Sequence, residues 1–561
     1  MRSLQRCMSV KYFLMMMKKI SFLFLLCLAG LFPFGNAMAE GTDVSRPRLV
    51  VGIVVDQMRW DYLYRYQDRY GEGGFRRLMR EGFSCENLMI DYLPTITAVG
   101  HTSVFTGTVP SIHGITGNSF TLRSTGEKVN CVGDSREHTV GSDSHSGERS
   151  PRRMLATTVT DELRLATNFR AKTVGVALKD RAAILPAGHT ANAAYWFDSK
   201  TGRWVTSTYY MKQLPAWLEA YNRTDPARRL LSGGWQTLLP AGQYTQSTAD
   251  DMSYELPIAK GARPVFPYDT AGLLEQEGYG VVANTPFGNT LTKDMAKLVI
   301  EHEQLGQDGD TDFLTVSFSS TDALGHLLGV NAVEIEDTYV RLDKDLADFF
   351  DYLDAKVGRG LYTVFLTADH GGPHHARFLR SHGIPSGEWE AKAVVASLDS
   401  VVHARFGIDH AVLGMESYQV LLDREKLGAA TFTSVKKALS DYLRTREEVA
   451  YVVDFEDAAS LSVVPQAIRE RIVNGYHPNR SGDLQIILSP GWYDASFGRV
   501  NHGVWCTYDS HLPLLFMGWG VKPGRTCAEV HMTDIAATVA ALLRIQMPSG
   551  CIGKPIINLL H

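Results

Sequence analysis

The stretch Arg48 to Met58 reads Arg-Leu-Val-Val-Gly-Ile-Val-Val-Asp-Gln-Met. An apolar run with no polar alternation has no face to turn to water. It predicts a strand buried on both sides, as in a parallel sheet covered by helices. Similar runs recur at Ala171 to Leu178, Asp312 to Ser319, Leu361 to Thr367 and Leu512 to Phe516. Helical patterns lie between them: roughly Tyr62 to Tyr70, a second short helix ending at Glu81, a long amphipathic helix from Ala332 to Val357 stopped by Gly358 and Gly360, and a closing helix from Asp534 to Arg544. This alternation predicts an α/β fold, a doubly wound, mostly parallel sheet flanked by helices, with cap insertions.

The chain has 561 residues, more than one small core holds. Two stretches lack strong parallel-strand patterns. One, 195–309, is rich in aromatics and prolines and opens on a hairpin, Tyr195 to Thr208, with a Thr-Gly turn; the other, 373–499, carries a helix near Thr433 to Thr445. The expected division is 1–39 signal peptide, 40–194 first part of a catalytic core, 195–309 cap insertion, 310–372 second core part, 373–499 second insertion and 500–561 third core part. The signal reading rests on Lys18 and Lys19 before the apolar run Ile20 to Phe34, and on the small-x-small site Ala37-Met38-Ala39. That run is too short to span a bilayer and Pro33 breaks it. An exported, soluble, periplasmic protein is expected, with no stable membrane anchor after cleavage and compatible with a monomer. Of seven cysteines, Cys7 and Cys27 leave with the signal; five remain, an odd number without a C-x-x-C motif, and their pairing is open. A net charge of -5 without a basic stripe argues against a nucleic-acid partner.

Acids and histidines stand just past the apolar runs, where α/β sheets collect ligand-binding residues. They are Asp56, the turn Asp322-x-x-x-His326, and Asp369-His370; His502 precedes the last run. Carboxylate plus imidazole suits zinc and related divalent metals, and a four-residue spacing lets one helical turn aim Asp322 and His326 at one ion. Thr97 follows a proline-broken loop in Leu93-Pro-Thr-Ile-Thr-Ala-Val-Gly-His101, at the start of a predicted helix, Ala98 to Thr106, stopped by Gly107. A hydroxyl there faces unpaired N–H groups and the positive end of the dipole, which suit an anionic phosphoryl group. Taken alone, each feature has an ordinary explanation: a helix cap, a core histidine, a turn. Their common position at strand ends weakens those explanations together. A set this large suggests two metals, able to clamp both the attacking and leaving oxygens of an in-line displacement. Thr97 would then attack without a histidine base. From the residues alone His511 competes with His502 as the last ligand. Thr95 and Thr102 are neighbouring hydroxyls, and His374 and His375 lie near Asp369 without an assigned role. No P-loop, G-x-S-x-G or H-E-x-x-H motif occurs.

Seven motifs occur in one order: Val54-Val-Asp56, Leu93 to His101, Gly114-Ile-Thr-Gly-Asn118, Lys179-Asp-Arg181, Asp322-Ala-Leu-Gly-His326, Ala368-Asp-His-Gly371 and Asn501-His-Gly503. In this order the whole mature chain resembles the alkaline phosphatase superfamily, and within it the threonine-nucleophile periplasmic phosphatases of the PafA type. The resemblance implies an alkaline-phosphatase-like fold and hydrolysis of small phosphate monoesters through a phosphothreonine at Thr97, releasing inorganic phosphate. It implies two Zn2+ ions, one on Asp322, His326 and His502, the other on Asp56, Asp369, His370 and the Thr97 oxygen, and it favours His502 over His511. Asn118, Lys179 and Arg181 would bind the phosphoryl oxygens. Lys179 and Arg181, two apart on a segment expected to be extended, would point the same way and meet a dianion. A phosphodiesterase or nucleotide pyrophosphatase of the same superfamily is the rival within enzymes and would need that pair to face away. A sulfatase lacks support, since neither Cys-x-Pro-x-Arg nor Ser-x-Pro-x-Arg occurs. A non-catalytic, zinc-stabilised binding protein is the rival from another class.

Overall fold

The computed structural model describes residues 45–560; the segment read as a signal peptide lies outside the described residues. Leu49–Val55 (β1), Thr173–Ala177 (β2), Asp312–Phe318 (β3) and Tyr362–Thr367 (β4) are strands with every residue buried, as their unbroken apolar runs require. They pair in parallel in the order β4-β1-β3-β2 at the centre of an 11-stranded sheet. His511–Gly518 (β5) runs antiparallel beside β4. The register sets Val54 opposite both Ser317 and Thr367, so β1, β3 and β4 end level with one another. Everything that follows these strands is delivered to one edge of the sheet.

Helices cover the sheet. Thr97–Thr106 (α1) is buried along its whole length, so no side of it faces water. Its Gly100 permits close approach: a Cβ there would lie 2.2 Å from the Asp369 carbonyl oxygen. Asp180–Ala187 (α2) follows β2 after two residues, Ser320–Leu328 (α3) follows β3, and Val333–Leu353 (α4) is the long amphipathic helix, ending in a π turn at Asp354–Gly358. The helix expected over Tyr62 to Tyr70 is one α turn, Tyr62–Arg65, and one 3-10 turn, Gln67–Arg69.

At the start of 195–309, the hairpin Ala193–Asp198 and Arg203–Ser207, which begins two residues earlier, extends the central sheet, its first strand pairing in parallel with β2. Within 373–499, four strands form a separate antiparallel sheet: Val412–Glu416, Gln419–Leu422, Leu484–Leu488 and Val449–Asp454 in spatial order. It encloses its own apolar core with Ala391–Phe406 and Arg424–Leu443. The five cysteines of the described residues are unpaired. Among the described residues no helix is long and apolar enough to cross a membrane.

Candidate active site

Thr97 is the first residue of α1, and the cap position before it is Ile96, in extended backbone. No side chain of the cap residue closes the helix start, so the ordinary explanation of Thr97 as an N-cap fails: it stands one position inside. Asn118 does part of that work from outside, its Oδ1 accepting the Ala98 N–H at 3.0 Å. The neighbouring hydroxyls are engaged. Thr95 Oγ1 donates to the Val504 carbonyl, and Thr102 Oγ1 donates to the Ala98 carbonyl. Thr97 itself is buried.

Around it the strand ends bring the acids and histidines together. Among the described residues two groups have ligand atoms within 4.8 Å of one another: Asp56, Asp369 and His370, and Asp322, His370 and His502. His326 joins the second, its Nε2 3.2 Å from Asp322 Oδ1. The three imidazoles share one orientation. Nδ1 of His326 donates to the Val500 carbonyl at 2.8 Å, that of His370 to Gly371 at 2.9 Å, and that of His502 to Thr95 at 2.7 Å. A carbonyl can only accept, so each ring carries its proton on Nδ1 when neutral and turns the Nε2 lone pair toward the acids. Asp56 Oδ1, Asp369 Oδ2 and His370 Nε2 are buried without a hydrogen-bond partner. Buried polar atoms left unmatched are costly, and a divalent cation is the group that would satisfy two carboxylate oxygens and an imidazole lone pair together. The residues fit a metal.

The charges agree with this. Burial pushes the Asp56 carboxyl well above the usual range, reinforced by Asp322 and Asp369 and opposed by Lys179. Burial would also raise Asp322, but His326 and Lys179 outweigh it and hold that carboxyl well below the usual range. Lys179 Nζ lies 2.6 Å from Asp56 Oδ2 and 2.5 Å from Asp322 Oδ2; one ammonium can neutralise only one of them. Burial pulls His370 down to about 3 despite Asp369, so the ring is neutral near pH 7.

Lys179 and Arg181 do not share an extended segment. Lys179 is the extended residue before α2, and Arg181 lies in the helix's first turn. The helix begins early because Asp180, an acid in its first turn, suits the positive end of the dipole. Arg149 Nε donates to Asp180 Oδ2 at 2.7 Å, while Arg181 Nη1 is 3.8 Å from Asp180 Oδ1. His511 lies apart from the acids: its Nε2 contacts the Glu86 carbonyl and its ring stacks on Trp60 at 4.7 Å. His374 pairs with Asn331, and His375 caps Ala376–Ser381.

Two residues at the site carry no signal in the sequence. Gln57, in left-handed backbone at φ 64°, donates from Nε2 to Asp322 Oδ1 at 2.9 Å and from its backbone N–H to Asp369 Oδ1 at 3.2 Å. Its side chain lies against Gly325, where a Cβ would stand 1.7 Å from Gln57 Oε1. Asp509 Oδ2 accepts from Thr95 Oγ1 and from the N–H groups of Gly503 and Val504, tying the Thr97 loop to the His502 loop.

The family model of type I phosphodiesterase / nucleotide pyrophosphatase matches residues 50–499. Alkaline phosphatase PafA of Elizabethkingia meningoseptica is 48% identical over 527 residues, covering 93% of this chain and 96% of that protein. A protein of Myroides odoratus named calcium-transporting ATPase is 49% identical over 529 residues, with 93% and 96% covered. The 1.7 Å crystal structure of PafA superposes with a TM-score of 0.90 at 48% identity, covering 92% of this chain and 100% of that one. A PafA variant has also been solved in which a threonine is changed to serine and an asparagine, a lysine and an arginine to alanine.

Proposed function

The chain belongs to the type I phosphodiesterase / nucleotide pyrophosphatase family, within the alkaline phosphatase superfamily, and is a phosphomonoesterase; we propose that it works with two zinc ions and through a phosphothreonine at Thr97. One ion would be held by Asp322, His326 and His502, the other by Asp56, Asp369, His370 and the Thr97 oxygen. Bound there, zinc would polarise phosphoryl oxygens and favour the deprotonated form of a hydroxyl or water. The observation that carries the reading is the convergence of a helix-start threonine with buried Asp56, Asp369 and His370 atoms that lack partners.

The chain's own residues do the rest. The start of α1 offers backbone N–H groups and the positive dipole end to the phosphoryl oxygens. Asn118, held at Ala98 N–H by its Oδ1, has its amide group to donate. Thr97 Oγ1 forms a bond to phosphorus as the bond to the leaving oxygen breaks, and water then breaks the threonine ester and releases phosphate. Lys179 and Arg181 add positive charge where a monoester dianion carries more negative charge than a diester. The four residue types altered together in the PafA variant are those of Thr97, Asn118, Lys179 and Arg181, which supports this assignment. Substrates would be varied small monoesters in the periplasm, the location being supported by the N-terminal Lys18-Lys19 and Ala37-Met38-Ala39 pattern.

The family's description favours a second reading, a diesterase. The test compares kcat/KM for an aryl phosphate monoester with that for the matching diester, using zinc-loaded protein at alkaline pH. A ratio far above one that collapses in Lys179→Ala and Arg181→Ala supports the assignment. A ratio below one, indifferent to both changes, takes the pair out of the site. No turnover of either ester with zinc bound would favour the binding-protein reading.

A further inference from the structure

Beside Asn118, His326 and His502 the cleft opens into a cavity of about 350 Å³ whose far wall belongs to the 373–499 stretch. Two short pieces of backbone build that wall, both in conformations that non-glycine residues rarely adopt. Ser417 and Tyr418, at φ 51° and 63°, form the two-residue turn between Val412–Glu416 and Gln419–Leu422. Such turns usually take Asn-Gly. Phe497, at φ 63°, is left-handed too and 80% exposed. The Asp494 N–H donates to the Tyr418 hydroxyl at 2.8 Å, fixing the turn to the segment that carries Phe497. Lys392 Nζ lies over the Phe497 ring, 5.1 Å from its centroid. A bulky ring in left-handed backbone, turned to water at the rim of a reactive cleft, is unfavourable on both counts for folding. Such outliers point to function.

We propose that this cavity is the leaving-group subsite, and that it takes aromatic phosphate monoesters, with the leaving group's ring stacking on Phe497. The inference rests on the phosphomonoesterase reading. Ile96, Met415 and Tyr418 line the same cavity, so a flat ring attached to a phosphoryl group held at Thr97 and Asn118 would pass His326 and His502 and find carbon to pack on beside Phe497.

The test is competitive inhibition of the zinc-loaded enzyme by inorganic phosphate, methylphosphonate and phenylphosphonate. These ligands share the phosphoryl head and differ only in what enters the cavity. Wild-type protein should bind phenylphosphonate roughly 3- to 10-fold more tightly than methylphosphonate, the worth of one aromatic pair. Phe497→Ala should bring that ratio to about one while the phosphate constant holds, and Phe497→Tyr should keep it. Phe497→Gly removes the ring while relieving the left-handed backbone, so a loss of preference there cannot be put down to misfolding. A wild-type ratio near one, or a preference that survives both Phe497→Ala and Phe497→Gly, overturns the subsite. Failure of all three ligands to compete, phosphate included, would sink the phosphatase reading itself and the subsite with it.

Discussion

Thr97 and Gln57 make separable demands on the site. Thr97 has its hydroxyl free of capping because Ile96 occupies the cap and Asn118 satisfies the Ala98 N–H. Thr97→Ala should therefore lower kcat/KM by at least ~10³-fold in zinc-saturated protein, as loss of a nucleophile does; Thr97→Ser should keep a measurable share. Steady-state kinetics beside elemental analysis reads both, and an alanine variant within tenfold of wild type would remove the covalent route. Gln57 acts on the ligands instead. With one donor on Asp322 and another on Asp369, it links the two candidate metal groups, and losing such outer contacts costs about 10- to 100-fold in metal affinity. Gln57→Ala should lose zinc faster to a chromophoric chelator; an unchanged rate would make Gln57 mere packing. The acids were legible because each ends a visible apolar run. Gln57 was not: its role depends on a left-handed backbone and a partner 265 residues away. On the residues alone His511 competed with His502, and only the resemblance favoured His502. The fold separates them, because His511 already belongs to β5 and to Trp60.

At the scale of elements, helix starts decide what the motifs do. The Lys-x-Arg spacing predicted an extended pair, but α2 begins at Asp180, so the two cations leave different kinds of backbone. Spacing is visible in a sequence; the residue at which strand gives way to helix is not. The start of α4 carries a different consequence. Glu334, in its first turn, is fully buried and accepts from the Tyr268 hydroxyl, leaving Oε2 without a partner. Burial pushes Glu334 up to about 7, and burial with the Glu334 charge pushes Glu255 up to about 8. Both folded-state values stand above the unfolded value near 4.5. The folded protein therefore holds these protons where the unfolded chain has released them. Stability is full below the unfolded value and falls as pH rises through 7 and 8. Glu334→Gln and Glu255→Gln keep the shape without the charge. Each should gain on the wild type between about pH 5 and about pH 9, by on the order of 1–3 kcal/mol in denaturant titrations. A gain that is the same at both pH values would mean the carboxyls are not titrating in the fold.

For the whole molecule, the site is where separate parts of the chain meet. Asp56 follows β1, Asp322 sits on α3 after β3, Asp369 and His370 follow β4, and His502 stands just past the 373–499 stretch. Strand order is not written in any one run, which is why the hairpin at 193–207 reads as insertion until its pairing with β2 is seen. Yet the runs before Asp56, Asp322 and Asp369 were visible as strands, so these candidate residues could be grouped before the sheet could be drawn. Bound metal would join those segments and satisfy Asp56 Oδ1, Asp369 Oδ2 and His370 Nε2. A ligand at 1,000 times its Kd stabilises a fold by about 4 kcal/mol, so chelation should lower Tm and zinc should restore it. The sign of the pH dependence follows from Asp56. Its carboxyl is pushed up, so at low pH protons compete with the metal, and at high pH the metal-free fold must carry the charge beside Asp322 and Asp369. Both effects widen the gap between metal-bound and metal-free protein as pH rises. Scanning calorimetry with and without chelator should show a larger Tm difference at about pH 8.5 than at about pH 6. A gap that narrows with pH would mean that the acids meeting at these strand ends are not the metal's ligands.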